Sequence, residues 1–244
     1  KAVEGLVKGL ELKDIHRILR SYAEALTGKR VLLRSTSLFY KNLSGLDKYF
    51  SVTDGTRIFL PSNISIFQDQ ELNFKTYKLA LVHEIGHLLF GTFAIDPQDL
   101  KKLSGSGDPV LSFKIFEFLE DERVDYLLGS QYPGLEKDRI SILQNYLPQK
   151  DNQTRGMSVF ESLSFSALLK SHGFDFGGTD DHLTQLLRKA LSKVKYSGYS
   201  SHDVLDLTIQ ICRDFNNSDD SATCEIRETH GRLFYRGILD FALV

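Results

Sequence analysis

Only two cysteines, Cys212 and Cys224, occur in the 244 residues of this chain. Two thiols do not build the disulfide framework of a small secreted domain. Twelve residues apart and without partner ligands, they do not read as a zinc finger either, so a reducing compartment is the expectation. An excess of either charge is also lacking: 30 basic residues stand against 32 acidic ones, with a pI near 6.4. That balance gives no basic field for nucleic acid. No uninterrupted apolar run reaches the ~18–20 residues of a membrane span, and the sequence from Lys1 onward has no signal-peptide pattern. Internal repeats and low-complexity tracts are missing as well. What remains is a chain long enough to bury a sizeable core in one or two domains.

Against this plain background one stretch carries chemistry, His83-Glu84-Ile85-Gly86-His87. Residues four apart share a helix face with Cβ atoms roughly 5–6 Å apart, so His83 and His87 can bind one ion while Glu84 points into the same space as a base. Zinc held by three protein ligands keeps a fourth position for water and lowers its pKa to about 7, within reach of a neighbouring carboxylate. H-E-x-x-H is the short motif of that chemistry. The flanks from Phe74 to Phe90 are apolar nearly all round, which predicts a buried central helix ending at Gly91. Two histidines and a glutamate inside such a helix cost several kcal/mol unless something binds them, and a metal does so.

The third ligand is not in the motif. The metzincin extension requires Gly at 90 and His at 93, and the chain has Phe90 and Phe93. The alternative is an acid on a later helix, and Phe116 to Asp125 carries Glu117, Glu120, Asp121, Glu122 and Asp125. Helical spacing puts Glu117, Glu120, Asp121 and Val124 on one face. Ile115, Phe116, Phe118, Leu119, Val124, Leu127 and Leu128 make the helix largely apolar, so several of these acids are expected to be buried and paired.

Several ordered motifs in residues 50–145 resemble the N-terminal part of nitric oxide reductase activation proteins of the NorD type. They are Asp54-Gly55 through Ile58-Phe59-Leu60-Pro61, Asn73-Phe74 with Tyr77-Lys78, the histidine motif with Gly91-Thr92-Phe93, Leu119 to Asp125, and Tyr132-Pro133-Gly134-Leu135. The resemblance implies a cytoplasmic protein that works with a MoxR-type AAA+ ATPase and a von Willebrand factor A domain. No Asp-x-Ser-x-Ser adhesion motif of such a domain occurs in residues 1–244. Many relatives have Gln in place of the motif glutamate, whereas Glu84 keeps hydrolysis open here. The shared acidic motif points to Glu120 as third ligand. Glu117 and Asp121, spaced as Glu-x-x-x-Asp, resemble the gluzincin pattern instead, in which the aspartate orients a ligating histidine.

The remaining chain reads as mixed near the front and helical behind. A helical stripe covers residues 11–27 and stops at Gly28, and Arg30–Ser35 and Thr56–Leu60 read as strands. An edge strand beside the active helix can take a peptide by β-augmentation, which makes Arg57–Leu60 a candidate substrate rail. Ser104 to Pro109 is a turn-rich connector. Helical patterns recur at 110–129, 135–147, 158–172, 181–196 and 201–216. A polar break at 151–156 suggests a boundary, Asn216–Ser221 reads as a loop, and Arg232–Tyr235 as a final strand. His16, His172, His182 and His202 read as solvated, and Asp180-Asp181 and Asp219-Asp220 as turns or caps. Tyr126, His230 and Tyr235 are the candidate oxyanion donors.

The expectation is an α+β, mostly helical chain. Residues 1–150 form a zincin-like domain with a small sheet, and 151–244 a helical extension. One zinc is held by His83, His87 and Glu120 for hydrolysis of a peptide or protein substrate, with Glu84 as base. The competing expectation is a non-catalytic zinc- or partner-binding module that helps the ATPase activate or metallate a target enzyme.

Overall fold

The computed structural model describes residues 9–39, 51–147, 158–169, 181–218, 233 and 235–239. In chain order the elements are β1 (Leu10–Glu11), α1 (Leu12–Thr27), β2 (Leu32–Ser35), α2 (Thr36–Phe39), β3 (Val52–Thr53), β4 (Arg57–Leu60), β5 (Asn63–Ile64) and α3 (Gln70–Leu89). A 3₁₀ turn (Thr92–Ala94) leads to α4 (Pro97–Ser104), α5 (Pro109–Gln131), α6 (Pro133–Tyr146), α7 (Val159–Leu169), α8 (His182–Val194), α9 (Ser201–Asn216) and β6 (Ile238–Leu239). The chain is mostly helical with a small sheet, and no single described helix is long and apolar enough to cross a membrane.

The sheet runs in the order β2-β4-β3-β6. β4 pairs parallel with β2, Leu33 opposite Ile58, and antiparallel with β3, Val52 opposite Phe59. β6 adds parallel to the far side of β3, with Val52 opposite Ile238 and Thr53 opposite Leu239. A separate antiparallel pair joins β1 to β5.

α3 is apolar all round and is buried continuously from Leu79 to His87, as the sequence predicts. Its start is pinned twice. Asp69 caps it by accepting from Glu71 N, and the Asn73 side chain bonds both the N–H and the carbonyl of Phe67. Tyr77 then donates to Pro61 O at 2.8 Å, fixing the helix to the chain leaving β4. Gly91 follows with φ 79°, a left-handed backbone that glycine adopts without strain and that turns the chain sharply out of the helix.

Two apolar clusters share α5. One gathers α1, α3, α6 and the sheet; the other gathers α4, α8, α9 and the opposite side of α5. The contact of α3 with α5 is close because of Gly86: a Cβ built there would lie 2.5 Å from Val124 Cγ1 and 2.9 Å from Leu128 Cδ1. Residues on the facing sides of the two helices are therefore held at short range.

The connector at Ser104–Pro109 stands as a turn between α4 and α5, and α4 before it is an element the sequence reading did not name, capped by Asp96 accepting from Gln98 N with Pro97 in the first turn. One expectation changes. The final strand is displaced from 232–235 to Ile238–Leu239. Arg236 N–H bonds Leu233 O at 2.8 Å and turns the chain there, so extended pairing starts only after Gly237. Arg232, and the break expected at 151–156, lie outside the described residues.

Candidate metal centre

His83 and His87 leave the buried flank of α3 one turn apart, and both are about 1% exposed. Their Nδ1 atoms are occupied. His83 Nδ1–H donates to Asp125 Oδ1 at 2.9 Å, and His87 Nδ1–H donates to Thr92 Oγ1 at 3.0 Å. In the neutral imidazoles, the form that binds a metal, these bonds select the tautomer in which each Nε2 carries a lone pair. The two lone pairs converge, with the Nε2 atoms 3.1 Å apart.

The carboxylate that completes the group is Asp121. Its Oδ1 lies 3.5 Å from His83 Nε2 and 3.4 Å from His87 Nε2. Three donor atoms on such a triangle match the ~3.3 Å edges of a tetrahedron whose centre holds an ion at roughly 2.0 Å. The buried group His83, His87 and Asp121 can thus hold a metal ion.

Glu120, preferred on sequence grounds, is turned elsewhere. Its Oε1 accepts from Thr92 Oγ1 at 2.5 Å, Arg123 Nη2 at 2.6 Å and Ser201 Oγ at 2.8 Å, and its Oε2 from Arg123 Nε at 2.8 Å. One residue along a helix is a rotation of about 100°, so the two neighbouring acids face different partners. Burial alone would raise the pKa of Glu120, but the Arg123 guanidinium outweighs it and lowers the value. Glu120 still reaches the centre indirectly, since the Thr92 hydroxyl that it fixes receives the His87 Nδ1–H. Glu117 lies one turn too early to meet the imidazoles and sits 3.5 Å from Leu239 N. The acid pattern is therefore Asp121-x-x-x-Asp125, a turn later than Glu117-x-x-x-Asp121. Asp125 does the orienting that the sequence reading assigned to Asp121.

Glu84 is fully buried. Ser51 Oγ donates to its Oε1 at 2.6 Å, while Oε2 is a buried oxygen without a hydrogen-bond partner. Burial raises its pKa, and the opposing pull of the two imidazoles and Ser51 does not cancel the rise. Glu84 follows His83 in the chain and feels both imidazoles and Asp121, and a buried carboxyl oxygen without a partner there fits a site that admits an ion with a water on it better than a packed interior.

The other acids of α5 are neutralised by cations from elsewhere in the chain. Asp125 Oδ2 accepts from Tyr235 Oη at 2.7 Å, Arg236 Nη2 at 2.7 Å and Arg139 Nη1 at 3.0 Å. Glu122 accepts from Arg236 Nη2 at 2.8 Å and Ser164 Oγ at 2.6 Å, and faces Lys195 Nζ at 3.1 Å. Burial would raise the Glu122 pKa, but Lys195 and Arg236 bring it down to about 2. For His83 burial works downward, and Asp125 and Asp121 overcome it to raise the pKa to about 10. A proton on an imidazole is the simplest counter-charge for these acids, and a divalent ion serves the same purpose.

Of the sequence-predicted donors, Tyr235 is spent on Asp125, with its ring 6.0 Å edge-on from His83. Tyr126 is half-buried and makes no side-chain bond to the cluster, and His230 lies outside the described residues. The expected substrate rail is also corrected: β4 has β2 on one side and β3 on the other, so it offers no free edge. Sequence reading missed Ser51, Thr92, Asp125, Arg139 and Arg236. Only Asp125 left a signal, its four-residue spacing from Asp121; the rest meet the site through tertiary contact. Comparison with known proteins gave no match, since no family model, curated protein or solved structure is similar to the chain.

Proposed function

We propose that this chain is a zinc-dependent metallopeptidase with a zincin-like core, in which His83, His87 and Asp121 hold one zinc and Glu84 is the general base. The observation that carries the reading is the convergence of His83 Nε2, His87 Nε2 and Asp121 Oδ1, with a buried, unpartnered Oε2 on Glu84, the residue next to His83. When bound there, zinc would supply Lewis-acid polarisation of water and of a peptide carbonyl. Glu84 takes a proton from the attacking water through Oε2 and returns it to the leaving amine, while Ser51 holds Oε1 and fixes the carboxylate plane. Its raised pKa suits both halves of that exchange. Asp125 and Thr92 keep the imidazoles aimed. An Asp in place of a Glu as third ligand modifies the gluzincin expectation without changing the chemistry.

The second reading is a metal-binding module with little turnover, a NorD-like partner of a MoxR-type ATPase. The closure of the site favours it: His83, Glu84, His87 and Asp121 are each no more than 3% exposed. The two readings separate on Glu84→Gln. Under the peptidase reading the variant retains one zinc per chain, by metal analysis of protein purified without chelator, and loses cleavage of an unfolded protein substrate by at least ~10²-fold. Equal behaviour of wild type and variant in cleavage, with zinc present in both, sinks the peptidase and keeps the module. Absence of bound zinc sinks both.

A further inference from the structure

His83 is aimed by Asp125, so whatever fixes Asp125 fixes His83. The two oxygens of that carboxylate face different partners. Oδ1 accepts the His83 Nδ1–H at 2.9 Å. Oδ2 accepts from Tyr235 Oη at 2.7 Å and from Arg236 Nη2 at 2.7 Å and Nε at 3.0 Å, and lies 3.0 Å from Arg139 Nη1. An oxygen offers about two lone pairs, so these donors share it. Both arginines also serve other groups, Arg236 bonding Glu122 and Ser164 and Arg139 bonding Glu136. Tyr235, which lies 110 residues further along the chain, meets both members of the His83–Asp125 couple. Its hydroxyl is on Asp125, and its ring stands edge-on to the His83 ring, with centroids 6.0 Å apart and planes at 83°, the geometry of an attractive edge-to-face pair. Tyr235 and His83 are each 1% exposed, so both contacts are shielded from water.

We infer that Tyr235 is a positioning residue of the metal centre: through its hydroxyl on Asp125 and its ring against His83, it holds that imidazole with Nε2 turned toward His87 Nε2 and Asp121 Oδ1. The sequence suggested a donor to a developing oxyanion; the structure puts this hydroxyl behind a ligand instead. For its effect on a metal the inference rests on the metal-binding part of the proposed function, and for its effect on the imidazole it does not. Loss of such an outer partner typically lowers metal affinity about 10–100-fold.

The test is Tyr235→Phe in the full chain, which removes the hydroxyl and keeps the ring, made alone and together with Asp125→Asn. Zinc affinity is read by competition with a chromophoric chelator. In the metal-free protein, NMR reads how fast each imidazole Nδ1 proton exchanges with solvent. Tyr235→Phe should weaken zinc binding by about tenfold, and should have no further effect in the Asp125→Asn background, because it acts through that carboxylate. It should also speed exchange of the His83 Nδ1 proton and leave that of His87, which is held by Thr92, at the wild-type rate. The comparison of His83 with His87 within one protein decides the matter even where Asp125→Asn, which unpairs Arg236, does not fold. Wild-type zinc affinity with wild-type exchange at His83 overturns the inference. Equal acceleration at both histidines overturns it too, since that is general loosening, as does an undiminished loss of affinity in the Asp125→Asn background. A chain that binds no zinc but shows faster exchange at His83 alone sinks the metallopeptidase reading and keeps the positioning role; zinc bound with unchanged affinity and unchanged exchange does the reverse.

Discussion

At the scale of single residues, the neighbours Glu120 and Asp121 have opposite assignments, and mutation should tell them apart. Asp121→Ala removes a metal-facing oxygen and should abolish zinc retention in dialysis against a weak chelator, with the fold intact. Glu120→Ala leaves the N, N, O triangle standing but takes from the buried Arg123 guanidinium the one carboxylate it pairs with among the described residues, a loss expected to cost about 3–5 kcal/mol by urea unfolding. If Glu120→Ala loses zinc without losing stability, the roles are reversed.

Asp54 gives a second, metal-independent case. Its carboxylate caps the turn before β4, accepting from Thr56 N at 2.9 Å, Arg57 N at 2.7 Å, Thr56 Oγ1 at 2.8 Å and Arg57 Nε at 2.7 Å. Burial pushes its pKa up, but these bonds prevail and lower it. A depressed folded-state value means the stabilisation is present above the ordinary aspartate pKa of about 3.9 and is lost as pH falls through the folded value. Asp54→Asn should therefore lower stability at pH 7 by about 1–3 kcal/mol and flatten the acid limb of a stability–pH curve. The Arg57 side chain is half exposed, so most of that effect belongs to the backbone donors.

Helices and strands decide how much of this could be read in advance. α1, α8 and α9 announce themselves through apolar periodicity and α3 and α5 through long, nearly continuous apolar runs, and the histidine pair is legible because four residues make one turn. The third ligand was not, since periodicity places Glu117, Glu120 and Asp121 on one broad face but leaves open which carboxylate a cation from another element will claim. Arg123 claims Glu120, through bonds that also reach Phe90 O and Ser201 Oγ, and no pattern within α5 reveals that. β3 and β6 are two residues each, too short for any alternation to register.

The element-scale prediction concerns Gly86. Adding a methyl group where Val124 Cγ1 sits 2.5 Å from the built Cβ forces α5 away from α3 at the height of the ligands. Gly86→Ala should cost about 1–3 kcal/mol through overpacking, and it should weaken zinc binding although no ligand is touched. Unchanged zinc affinity in a destabilised variant would show that the ligand triangle tolerates the shift.

For the whole molecule, an ion held by His83, His87 and Asp121 would join two helices and stabilise the folded chain by mass action. At free zinc 100-fold above its dissociation constant the gain is about 2.7 kcal/mol, so the melting temperature should climb with zinc concentration. It should not climb in His83→Ala. A wild-type melt indifferent to zinc over several decades would sink the metal reading.

α5 also has a role that does not depend on any ion. It is the shared wall of the two apolar clusters, and Arg123 on it bonds the end of α3 and the start of α9 together. We expect the acid-rich motif to add to the coupling of two halves already joined through α5. Native-state hydrogen exchange should show α3 and α9 opening with one free energy in the wild type and with two in Arg123→Met. On that expectation, the composition that looked like a ligand signature also ties distant parts of the chain together through Arg123.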